Sequence, residues 1–114
     1  MRKFFCLAFG CTIWTTVVAA EAVEGKFRGV VPLDTFKCEA TKQSTLVNRV
    51  CYDADQNYMI IQLQGVYYHY CEIDPVTVGN LLSAGSLGRY YRAHIRGSDN
   101  DGRFDCRRQR VPEY

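Results

Sequence analysis

Tyr58-Met59-Ile60-Ile61-Gln62-Leu63-Gln64-Gly65-Val66-Tyr67-Tyr68-His69-Tyr70 is the stretch that decides the fold. Met59, Ile61 and Leu63 recur at every second position, the period of a strand that lays one face on a core. Gln64-Gly65 turns the chain, and alternation resumes. Val66, Tyr68 and Tyr70 share one face of the next strand, with Tyr67, His69 and Cys71 on the other. The strands are predicted at Tyr58–Gln64 and Val66–Ile73. Upstream, Leu46, Val47 and Val50 mark a strand over Leu46–Tyr52, and Asp53-Ala54-Asp55-Gln56-Asn57 has the composition of a turn. Short turns between three strands predict an antiparallel meander.

Beyond the meander the period changes. Asp74 is a good N-cap and Pro75 suits the first helical position. Val76, Leu81 and Leu82 give that helix an apolar face, ending near Ala84-Gly85. Ser86 opens a second helix with Leu87, Tyr91, His94 and Ile95 at helical spacing, and Gly97 closes it. Ser98–Gly102 reads as a loop and Arg103–Arg107 as a short returning strand. Upstream of the meander, Val23–Asp34 is punctuated by Gly25, Gly29 and Pro32 and reads as an extended, poorly anchored lead. The predicted class is α+β: a small antiparallel meander of about three strands packed against two short helices, with disulfides.

The N-terminus carries a targeting pattern. Arg2 and Lys3 precede an uncharged run from Phe4 to Val18, followed by small residues at Ala19, Ala20 and Ala22. That order is expected of a secretory signal peptide. The run falls short of the roughly 20 apolar residues a spanning helix needs. An uncleaved anchor and a lipoprotein modified at Cys11 are the weaker readings. Small residues at the last and third-last positions place cleavage after Ala20 or Ala22. The chain then divides into a signal peptide over 1–20, a lead over 21–43, a domain over 44–107 and a tail over 108–114. One small domain remains, destined for the periplasm or for secretion, with no stable membrane span after cleavage.

All twelve acidic residues lie from Glu21 onward, against twelve basic ones there, so the mature chain is formally neutral. A global polybasic argument for nucleic acid is thereby excluded. Locally, Arg89–Arg110 contains seven Arg and no Lys against three Asp. That selection suits bidentate contacts to carboxylate or phosphate, or pairing with Asp99, Asp101 and Asp105 on a solvated face.

Cys38, Cys51, Cys71 and Cys106 remain after cleavage, an even number in a small exported domain, which predicts two disulfides. Their spacings of 13, 20 and 35 residues contain no Cys-x-x-Cys knuckle, which argues against zinc. Of three connectivities, Cys38–Cys51 with Cys71–Cys106 is favoured. The first pair closes a hairpin about Lys42-Gln43-Ser44-Thr45, and the second ties the tail onto the sheet.

From about Ser44 to Arg107 the chain resembles the KTSC domain, a module named for its place at the C-terminus of some lysyl-tRNA synthetases. Tyr52-Asp53, Gly65 and Tyr68-His69-Tyr70 carry the resemblance, the last matching the family's central Tyr-x-Tyr. Pro75, Ala84-Gly85-Ser86-Leu87-Gly88, Tyr90-Tyr91 and Ile95-Arg96 follow in order. Arg92 stands where the family tends to have Asn, so no role of that Asn carries over. The cysteines and the signal peptide look like additions for export. The resemblance implies no established activity; RNA binding has been suggested for the family by association with the synthetase, which is analogy at the level of the fold.

No catalytic set converges. His69 sits mid-strand between two tyrosines, and His94 sits on a helix beside Ile95. Ser86 lacks a nucleophile elbow and is better explained as a helix cap. Asp53/Asp55 and Asp99/Asp101 are turn residues, and Asp99-x-Asp101-Gly102 lacks the later ligands of a calcium loop. No cofactor and no metal are expected.

The candidate site is aromatic and cationic. Tyr68, Tyr70, Tyr90 and Tyr91 with Arg89, Arg92 and Arg96 can form a stacking and anion-binding platform, provided the tyrosines face outward. Otherwise they fill the core and its edge. The expected function is a non-enzymatic binding module for a protein, a peptide or an anionic envelope ligand. Nucleic-acid binding is the alternative, and a small hydrolase using His69 or His94 the remotest.

Overall fold

A computed structural model describes residues 21–41, 43–97 and 101–114. The expected signal peptide, together with Lys42 and Asp99, lies outside them. Six strands form one mixed, curled sheet, a half-barrel. They are β1 (Ala22–Gly25), β2 (Gly29–Pro32), β3 (Lys37–Ala40), β4 (Val47–Asp53), β5 (Tyr58–Leu63) and β6 (Val66–Tyr70). Their order is β2-β1-β6-β5-β4-β3. Every neighbour is antiparallel except β1 and β6, which run parallel and meet at Gly25 and Tyr67.

The expectation of a three-stranded meander is therefore corrected. The meander residues are only the middle of a sheet twice that size. The lead read as poorly anchored supplies the rest: Val23, Val31 and Leu33 are buried, and Cys38 is bonded to Cys51 directly across the β3–β4 ladder. Arg103–Arg107 does not return as a strand. Asp105 accepts from the Arg107 N–H at 2.9 Å and caps a single 3₁₀ turn, Cys106–Arg108. That local bond competes with strand pairing.

Curling gives the sheet two cores. On one face Val50, Met59, Ile61 and Leu63 pack against Ile73, Val78, Leu81, Tyr91, Ile95 and Phe104. On the other, Cys51, Tyr58, Ile60 and Cys71 pack against Val23, Val31, Leu33 and Cys106. The central strand β5 thus has both faces covered. This is why Tyr58–Ile61 is an unbroken apolar run with every residue buried.

Between β5 and β6, Gln64 and Gly65 both have positive φ, 49° and 87°, as a primed hairpin turn demands. Helix α1 (Pro75–Leu82) starts where expected: Asp74 accepts from the Thr77 N–H at 3.1 Å and its hydroxyl at 2.7 Å. Helix α2 (Leu87–Tyr90) is capped by Ser86, which accepts from the Arg89 N–H at 3.2 Å. It widens into a π turn, Tyr91–Ile95, closed by the Arg96 N–H donating to the Tyr91 carbonyl at 2.9 Å. No helix among the described residues is long and apolar enough to cross a membrane.

Candidate functional site

A cleft of about 420 Å³ opens where the β1–β2 turn, β6, the end of the π turn and the C-terminal loop meet. Tyr68, His69 and Tyr70 form its floor. Lys26 and Phe27 stand at one end, Asp105, Cys106 and Arg107 at the other, and Ile95 and Arg96 at the side.

The turn Gly25–Gly29 positions Lys26 and Phe27. Phe27 has φ 63° and is 91% exposed, so its ring is held out towards solvent rather than packed. The Lys26 N–H donates to the Tyr67 carbonyl at 2.7 Å, which fixes this turn against the rim of β6. At the opposite end the Cys71–Cys106 disulfide and the bond from the Cys71 N–H to the Phe104 carbonyl, 2.9 Å, hold the C-terminal loop.

Tyr68 and Tyr70 do not face outward as a free platform. Both are half-buried and rest on the helix-side core. The Tyr70 hydroxyl bonds that of Tyr91, whose ring meets it edge-on at 5.9 Å and is only 5% exposed. Burial and this bond push the Tyr70 hydroxyl well above the usual phenol range. These tyrosines thus present edges and partial faces, with their bulk in the core.

Across the strand, His69 lies on the other face. Its Nδ1 is 2.8 Å from the Tyr58 hydroxyl, which accepts from Arg28 Nε at 3.2 Å. Burial, then the positive charge of Arg28, lowers the His69 pKa below 6.5. Asp105 is drawn down to about 2, chiefly by its hydrogen bonds with Arg107, whose Nη2 donates at 2.6 Å. Donor atoms of His69, Cys71 and Cys106 lie within 4.8 Å of one another. The two sulfurs are spent in their mutual bond, which leaves one imidazole and no ligand set for a metal.

The structure brings Tyr68, Tyr70 and Arg96 together in the cleft, with Tyr91 behind Tyr70. It does not bring in the rest. Arg92 lines a separate groove with Ser44, Leu46 and Gly88. Arg89 is exposed and belongs to neither. Tyr90 lies against His94, ring centroids 4.5 Å apart. Lys26, Phe27, Asp105 and Arg107 were missed as site residues, and His69 was weighed only for the hydrolase alternative and within the Tyr68-His69-Tyr70 match. Only the exposed aromatic between two glycines, Gly25-Lys26-Phe27-Arg28-Gly29, offered a signal.

Residues 43–98 match the KTSC domain family. The chain carries a KTSC domain. No curated protein matches the chain. Within the KTSC domain, the residues behind the resemblance have concrete work in the fold. The Tyr52 hydroxyl donates to the Ile73 carbonyl at 2.7 Å and so ties β4 to the entry of α1. Asp53, 3% exposed, accepts from Thr35 at 2.7 Å and Tyr114 at 2.9 Å, both outside the matched stretch. Tyr70 and Tyr91 join the Tyr-x-Tyr to the aromatic pair through their hydroxyls. Half of the cleft is the KTSC domain, and half comes from the segments that flank it.

Proposed function

We propose that the protein is a small binding domain of an oxidising compartment outside the cytoplasm, periplasmic or secreted, and that it holds an anionic ligand in the cleft over β6. One observation carries the reading: Lys26, Arg96 and Arg107 gather around a concave floor edged by Phe27, Tyr68 and Tyr70. The sole carboxylate among the lining residues, Asp105, is already engaged by Arg107. Cations beside half-buried aromatic surface attract an anion and give its apolar part a place to rest. The two disulfides and the targeting pattern at the N-terminus support the compartment.

The test is a titration of ¹⁵N-labelled protein with pooled acidic peptides, pooled basic peptides and single-stranded RNA. Acidic peptides are expected to shift the amides of Lys26, His69 and Arg96, and the Lys26→Glu/Arg96→Glu double variant to abolish the effect. Equal shifts from acidic and basic pools, or none, would sink the proposal. RNA binding that weakens steeply with salt would favour the nucleic-acid alternative instead.

A further inference from the structure

The floor of the cleft has a feature that narrows the ligand. In β6, Tyr67 turns its backbone groups away from β5: its carbonyl accepts from the Lys26 N–H at 2.7 Å. Four residues on, the Cys71 N–H points the same way and donates to the Phe104 carbonyl at 2.9 Å. Backbone groups in an antiparallel ladder alternate in direction residue by residue. The N–H and C=O of His69, midway between these two, therefore also point away from β5. They point into the cleft that His69 lines. Among the described residues neither group has a backbone partner.

Buried edge donors and acceptors are satisfied by a partner or by water. One residue of an extended guest has what is needed, a C=O for the His69 N–H and an N–H for the His69 C=O. The gap is closed at both ends, by the Lys26–Phe27 turn and by the Phe104–Arg107 loop. The edge groups on either side are already bonded, Tyr67 to Lys26 and Cys71 to Phe104, so a guest cannot pair along β6 past either, and a chain end suits a gap one residue long. Of the two ends, the cations choose. Lys26, Arg96 and Arg107 line the gap against one carboxylate, Asp105, which Arg107 engages, so the lining keeps an excess of two positive charges. An amino terminus would meet uncompensated positive charge, whereas a carboxylate would meet charge-assisted donors.

We propose that the cleft captures the C-terminal residue of a peptide or protein, its carboxylate held at the His69 N–H among Lys26, Arg96 and Arg107 and its own N–H donating to the His69 carbonyl. This rests on the anionic-ligand reading above and goes beyond it by naming the chain end. The aromatic edges of Phe27, Tyr68 and Tyr70 favour an apolar final side chain.

The experiment uses two libraries of N-acetylated tetrapeptides with randomised residues, one with free C-terminal carboxylates and one amidated, read by the ¹⁵N amide shift of His69. The free-acid library is expected to bind at least tenfold more tightly than the amide. N-methylation of the final amide should also weaken it tenfold. Arg96→Gln should weaken binding of the free acids, and Arg89→Gln, outside the cleft, should not. Equal binding of acid and amide libraries overturns the inference while leaving an anionic ligand possible through acidic side chains. Absence of binding by either library at millimolar concentration overturns it as well, and binding of acidic polymers by the same sample shows that the broader reading survives.

Discussion

The Tyr58 hydroxyl and His69 Nδ1 lie 2.8 Å apart on a diagonal between adjacent strands, with Ile60 rather than Tyr58 directly opposite His69. Arg28 Nε reaches the same hydroxyl at 3.2 Å, while its Nη2 donates to the Pro112 carbonyl at 2.8 Å. One phenol thus joins the central strand to β6 and to the N-terminal hairpin, and through Arg28 to the C-terminal segment. Tyr58→Phe keeps the ring and removes the hub. It leaves a histidine nitrogen and a guanidinium without their shared partner, a loss of about 1–3 kcal/mol. Urea unfolding should show this as a lower midpoint with an unchanged slope.

His69 makes stability depend on pH. Its pKa in the fold is lowered from 6.5, first by burial and then by the charge of Arg28, against an opposing pull from Asp105. The unfolded chain therefore binds the proton more readily. Stability is full above the unfolded value near 6.5 and falls as pH drops towards the lower folded value. Thermal unfolding between pH 7.5 and 5 should show a decline that His69→Gln reduces. A decline of the same size in the variant would assign the effect elsewhere.

Gly88 invites the expectation that only glycine fits. A Cβ built there would sit 3.6 Å from the Leu46 Cβ, an ordinary contact. Gly88→Ala is therefore expected to fold normally. It should gain up to about 1 kcal/mol from helix propensity in α2. A melting temperature below that of the parent would show that the approach of α2 to Leu46 is tighter than this spacing.

Removing the Cys71–Cys106 bond, as Cys71→Ser/Cys106→Ser, should lower stability by about 3 kcal/mol. It should also free the loop that forms the far wall of the cleft. Faster exchange of the Cys71-position amide, now donating to a less constrained Phe104 carbonyl, is the local readout. Protection equal to the parent would mean that Phe104, buried in the helix-side core, holds the loop unaided.

How far the fold was legible follows from where each signal resides. The strands at β5 and β6 announced themselves because alternation and a primed turn are local. The N-terminal strands did not. Each has four residues, with glycine or proline in two of them, and β1 buries only Val23 and Gly25. Their apolar side chains form a core only once the sheet has curled to bring Tyr58 and Ile60 to them. Both Asp74 and Ser86 were readable as caps because a cap depends on residues within three positions. The site was half legible for the same reason. Tyr68, Tyr70 and Arg96 come from the stretch that carries the family pattern. Lys26 and Arg107 reach the cleft through one strand pairing and one disulfide between distant positions, which spacing alone does not encode.

The two disulfides enclose separate segments, 38–51 and 71–106. A protease that cuts the backbone inside either one leaves the pieces covalently joined, and the nick is invisible until thiols are added. Between Cys51 and Cys71 no such bond intervenes, and a single cut there would divide the molecule. That interval is built around Tyr58–Ile61, the four consecutive residues the fold seals most completely. Covalent insurance and burial therefore cover complementary stretches of the chain: unfolding alone exposes the interval where one cut divides the molecule, whereas cuts inside 38–51 or 71–106 separate the pieces only after reduction.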